Sequence, residues 1–146
     1  MAIDSTRTAT PWRFCSAILL FAVLGGCVTQ SQRSYLPDPS AARLTPDDWR
    51  ERASTLLEAE CPRLMGTGTA ALGEAGFTVV LGANGAVREA ILTRSSGDER
   101  IDALFGGLAA QLRFSRSTDG DRAPIAAGYS CARNASAATL ELNTTP

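Results

Sequence analysis

The chain has 146 residues and a formal charge of −1, enough for one domain with accessory segments and without a basic field for nucleic acid. All fourteen basic residues are Arg. Without Lys or His, the usual Schiff-base or phosphate residue and the usual general base near neutral pH are missing, so neither catalysis nor a cofactor is expected.

Residues 1–26 read as a secretory signal. Arg7 and Arg13 make a positive start, residues 14–24 (FCSAILLFAVL) form an apolar run, and Gly25 and Gly26 are small. The run is shorter than the roughly 20 residues that span a bilayer; an uncleaved membrane anchor is the alternative. It ends in Leu24-Gly25-Gly26-Cys27, which resembles the bacterial lipobox of a Leu, two small residues and a Cys. The resemblance implies a diacylglyceryl thioether on Cys27 and cleavage between Gly26 and Cys27. Acyl chains hold firmly, since each buried CH₂ contributes about 0.8 kcal/mol. Cys15 lies within the run and would leave with the signal. Val28 follows the lipidated Cys where an Asp would resemble an inner-membrane retention signal, which favours an outer-membrane lipoprotein facing the periplasm.

Residues 27–44 are polar, carry two prolines and read as a lipidated N-terminus and tether, with Tyr35 and Leu36 unpacked. A domain is expected over residues 45–134. Thr45, Pro46, Asp47 and Asp48 make a helix start, and Trp49, Ala53, Leu56 and Leu57 share one face. Cys61-Pro62 is expected to end that helix. Residues 64–76 are Gly-rich and give no clear element; Gly66 and Gly68 lack the Gly-Lys-Ser/Thr of a phosphate loop. Phe77, Val79 and Leu81 alternate, Asn84-Gly85 turns, and residues 87–94 return, which predicts a β-hairpin. Residues 95–114 predict a second helix, with Ser96 and Glu99 as a capping box and Ile101, Leu104, Phe105, Leu108 and Leu112 as its apolar stripe. Gly106 and Gly107 lie off that stripe; they read as a weak point in the helix, with a close approach of another backbone as the alternative. Residues 124–133 read as the last strand, with Ile125, Ala127, Tyr129 and Cys131 on one face, and residues 135–146 as a tail with one weak strand-like piece, ATLEL at 138–142; at least one sheet edge stays open unless the tail covers it. The fold expected is α+β, a small three-stranded antiparallel sheet with helices packed on one face.

Residues 61–132 resemble the C-terminal domain of the TonB family. The resemblance lies in Cys61-Pro62, Gly76, NGAVREAILTRSSG, RIDALFGGLAAQLRF and DGDRAPIAAGYSC, taken in that order. It implies a TonB C-terminal-like periplasmic binding module that adds a partner's peptide strand to a sheet edge. The departures are the expected inner-membrane helix and long Pro-rich arm, neither of which is read here, and the Pro expected after Arg113-Phe114. The contact expected is the last strand, Ile125 to Cys131, with Ile125, Ala126, Ala127, Gly128 and Tyr129 as its binding residues, or another open edge, meeting an envelope protein. A second reading makes the chain a structural lipoprotein that supports an envelope assembly through a helical face with Trp49 partly exposed.

Cys61 and Cys131 remain after signal removal, in an oxidising compartment, and are expected to form a disulfide; two buried thiols are the alternative. No His accompanies them, so no metal is expected, and no C-x-x-C marks a redox pair. Glu89, Asp98, Glu99 and Asp102 form an acidic group read as solvated or helix-terminal rather than catalytic. Arg113 and Arg116 read as a solvated face.

Overall fold

The structure, a computed structural model, describes residues 32–115 and 120–142. The expected signal with Gly26 and Cys27 lies outside these residues, as does Arg116.

In chain order the elements are β1 (Ser34–Tyr35), α1 (Pro46–Met65), β2 (Ala70–Leu81), β3 (Val87–Arg94), α2 (Glu99–Ala110), β4 (Arg122–Ala132) and β5 (Ala135–Leu142). The strands form one antiparallel sheet in the order β1-β3-β2-β4-β5. The fold is α+β, but the sheet has five strands, which corrects the three expected.

Both additional strands come from segments read as linker and tail. In the tether, Ser34 and Tyr35 pair with Ile91 and Ala90, and the Arg33 carbonyl accepts the Leu92 N–H at 2.8 Å. Tyr35 drives this attachment. Its ring lies on Gly106 and meets Phe77 edge-on, with centroids 6.2 Å apart. In the tail, β5 alternates along its middle, turning Ala138 and Leu140 into the core and Thr139 outward. It forms a tight hairpin with β4 through Arg133 and Asn134.

The Thr45 cap forms as expected. Its hydroxyl accepts the Asp48 N–H at 3.2 Å, and the Asp48 carboxylate accepts the Thr45 N–H at 3.2 Å. Trp49, Ala53, Leu57 and Cys61 recur every four residues and are buried, while Leu56 stays 43 % exposed. The helix does not stop at Cys61-Pro62 but runs on to Met65. Proline costs one donor there, yet Leu64 and Met65 pack on the core and Gly66 donates to the Pro62 carbonyl at 3.2 Å.

The predicted hairpin is β2 and β3, and β2 begins seven residues earlier than the alternation showed, absorbing much of the unassigned Gly-rich stretch. Its turn needs glycine at Gly85. The φ there is 75°, and a Cβ would lie 2.0 Å from the Phe114 carbonyl oxygen. The second helix is shorter than expected. Asp98, not Ser96, caps it, accepting the N–H groups of Arg100 and Ile101 at 3.1 Å. Leu112 and Arg113 leave the helix because their backbone groups bond elsewhere: Leu112 accepts from Val87 and Arg113 donates to Leu44, each at 2.9 Å.

Both helices lie on the sheet face that carries Phe77, Val79, Ile125, Ala127 and Leu140. Trp49 and Phe105 meet at the centre of this core, with ring centroids 5.4 Å apart. The opposite face presents Thr78, Glu89, Ala126 and Thr139.

Gly106 is therefore a seat for Tyr35 rather than a weak point, since a Cβ there would fall 2.4 Å from the ring. Gly106→Ala is expected to destabilise the domain by about 1–3 kcal/mol through overpacking, despite alanine's higher helix propensity. Gly107→Ala, whose Cβ meets nothing within 4 Å, is expected to stabilise it by up to about 1 kcal/mol. Urea unfolding of the two variants checks this; equal stability of Gly106→Ala and wild type would mean that Tyr35 does not dock.

Candidate functional site

A strand offers itself to a partner only through an unpaired side. The expected binding residues Ile125, Ala126, Ala127, Gly128 and Tyr129 lie within β4, which pairs with β2 along one side and β5 along the other. No open edge exists there, which corrects the expected contact. The side chains divide by the pleat: Ile125 and Ala127 are in the core, and Ala126 and Gly128 lie on the face without helices. Tyr129 is half-buried against Gly73 and lies 6.4 Å from the Phe105 ring.

The outer side of the sheet passes instead to β5. Ladder alternation turns the backbone groups of Ser136, Ala138, Leu140 and Leu142 away from β4. Helix α1 occupies two of these positions. The Ala138 N–H donates to the Ser54 hydroxyl at 3.0 Å, and Arg50 donates to the Leu140 carbonyl at 3.2 Å. Such side-chain cover blunts an edge that would otherwise template pairing with another chain. Sequence reasoning missed this, because Arg50 and Ser54 face β5 only once the tail is folded. At the other end of the sheet, β1 shields β3 over two residues.

The helical-face alternative required Trp49 to be partly exposed. Trp49 is wholly buried, so that face belongs to the core. Its indole N–H has no partner among the described residues.

Cys61 and Cys131 form the expected disulfide, with Cα atoms 5.4 Å apart. It fastens the last turns of α1 to β4 across 70 residues of chain. The recess beside it, about 240 Å³, is lined by Glu58, Pro62, Met65, Arg133 and Ser136 among others.

The four acids do not converge. Glu89 accepts from the Ser34 hydroxyl, and Glu99 pairs with Arg33 at 2.8 Å. Asp102 is buried and staples the turn before α2, accepting the Ser96 N–H at 2.8 Å and the Ser96 hydroxyl at 2.7 Å. Asp98 caps α2 and takes two hydrogen bonds from Arg63, at 2.6 and 2.9 Å. That guanidinium lowers the Asp98 pKa to about 2, with help from the helix N–H groups. Arg113 donates its backbone N–H to Leu44 and lines a surface recess with Arg43 and Leu142. Among the described residues no group of three or more Cys, Asp or Glu is placed to hold a metal, and no helix is long and apolar enough to cross a membrane.

No protein family, curated protein or solved structure matches the chain in comparisons of sequence and fold.

Two outcomes follow from these fastenings. Replacing Cys61 and Cys131 together with Ala is expected to lower stability by about 4 kcal/mol, the chain-entropy value for a loop of this length, measured by urea unfolding. Because Asp98 has a lowered pKa in the folded chain, its contribution is fully present above about pH 4 and is lost as pH falls toward 2. Asp98→Asn should therefore melt a few degrees below wild type at pH 7, with the gap closing near pH 2; a gap independent of pH would remove the charge from the explanation.

Proposed function

We propose that this chain is a periplasm-facing lipoprotein of the outer membrane, anchored through acylated Cys27, whose domain is a binding or adaptor module of the TonB C-terminal type without chemistry of its own. The observation that carries the reading is the Cys61–Cys131 disulfide, a bond that persists in oxidising compartments such as the bacterial periplasm. It accords with the lipobox-like Leu24-Gly25-Gly26-Cys27. The helix, hairpin, helix and strand order across α1, β2, β3, α2 and β4 accords with the TonB-type resemblance.

The contact we propose for an envelope protein partner is the outer side of β5. An arriving peptide strand displaces Ser54 and Arg50 from Ala138 and Leu140. Each such bond contributes about 1 kcal/mol net, so a ladder of several backbone bonds outweighs the two it replaces. Arg50 also pairs with Asp47, which gives its released guanidinium a place to rest.

Two measurements test this. Cys27→Ser should lose the diacylglyceryl mass and leave the membrane fraction; retention at unchanged mass would sink the anchor. Photo-crosslinkers at Thr139 and Glu141 in intact cells should give a discrete adduct, with none from exposed Asn84 at the β2–β3 turn. Silence at both β5 positions in a folded, acylated protein would sink the edge contact.

A further inference from the structure

We propose that the ribbon tip formed by the start of β2 and the β4–β5 turn rests on the lipid headgroups, with Leu72 and Arg133 as its contact residues. The inference rests on acylation of Cys27 as proposed above.

Two lengths carry it. The first is the reach of the anchor. Arg33 is held by the sheet through its bond to Leu92, and only six residue steps separate it from Cys27. Fully extended, those steps cover at most about 22 Å. The second is an overhang. Leu92 pairs with Phe77, and β2 continues seven residues beyond that point to Ala70, opposite Ala132. At the rise of a strand this is about 23 Å. The overhang points the way the chain arrives, because β1 is antiparallel to β3 and its amino end faces the start of β2. With the strands along the membrane normal, the ribbon extends as far toward the bilayer as the anchor can hold the domain away. In that orientation even a taut tether does not lift the tip clear.

The tip has a surface suited to that position. Leu72 is 81 % exposed, and Ala70, Ala132, Ala135 and Ala137 around it are small and exposed. Most carboxylates on this side are ion-paired: Glu60 and Asp98 share Arg63, with Arg100 3.8 Å from Glu60, Glu74 pairs with Arg94, and Glu99 with Arg33, while Glu58 lines the recess beside Arg133 without an ion pair among the described residues. Arg133 forms no ion pair among the described residues and stands at the turn. An exposed leucine among alanines beside an unpaired guanidinium suits the boundary between acyl chains and phosphates.

The test uses the acylated full-length protein in vesicles of phosphatidylethanolamine and phosphatidylglycerol carrying a headgroup nitroxide. An encoded fluorescent amino acid replaces Asn134 at the tip or Asn84 at the opposite end. Emission from position 134 should be quenched severalfold more than from position 84. Leu72→Ser with Arg133→Glu should reduce the quenching at 134 without changing the melting temperature or the acyl mass. Equal quenching at both positions on protein that carries the acyl mass would overturn the tip contact and leave the anchor standing. Protein without acyl mass would overturn both.

Discussion

Eleven consecutive pairs join β2 to β4, from Ala70 with Ala132 to Val80 with Arg122, and every other element is placed by this ladder. β3 and then β1 extend it on one side, and β5 extends it on the other. Its register is enforced by shape as well as by pattern. The Tyr129 ring fills the space a side chain at Gly73 would need, and the Thr139 hydroxyl does the same at Gly128. A slip of one residue would send either Phe77 and Val79 or Ile125 and Ala127 to the face without helices and break up the core. The disulfide ties α1 to the same ladder, so the helix that covers β4 and β5 is fixed at its far end.

Local signals in the sequence were reliable where local chemistry decides the outcome. Thr45, Pro46 and Asp48 mark a helix start through bonds made within four residues, and the alternation at Phe77, Val79 and Leu81 with Asn84-Gly85 marks a hairpin. Signals failed where a distant partner overrides them. Pro62 reads as a helix stop, but core packing of Leu64 and Met65 carries the helix past it. Tyr35 sits in a polar linker, and nothing beside it reveals a seat at Gly106, 71 positions away in the chain. The tail is alanine-rich and weak in β-propensity, so only its pairing with β4 makes it a strand.

The candidate site shows the same division. The disulfide was legible, because the expected oxidising compartment and an even cysteine count point to it without knowledge of the fold. The strand at residues 125–129 was legible as a strand, but its place inside the sheet was not. That place depends on the length of β2 and on the tail, which are properties of the whole sheet. Arg50 and Ser54 carry no sign of their task, since capping a strand edge calls for no more than a donor and an acceptor on a helix face.

The position of β5 after β4 bears on how the domain can form as its chain is delivered. A chain that folds from its amino end completes β4 while Ala126, Gly128 and Ser130 still point their backbone groups at no partner. Such a half-sheet is an adhesive species, open to any strand nearby. It also lacks Leu140 and Ala138 beneath α1, a large part of the surface on which the helix packs. The domain therefore gains little from folding piecemeal. Closing the sheet on that side requires the eight residues of β5.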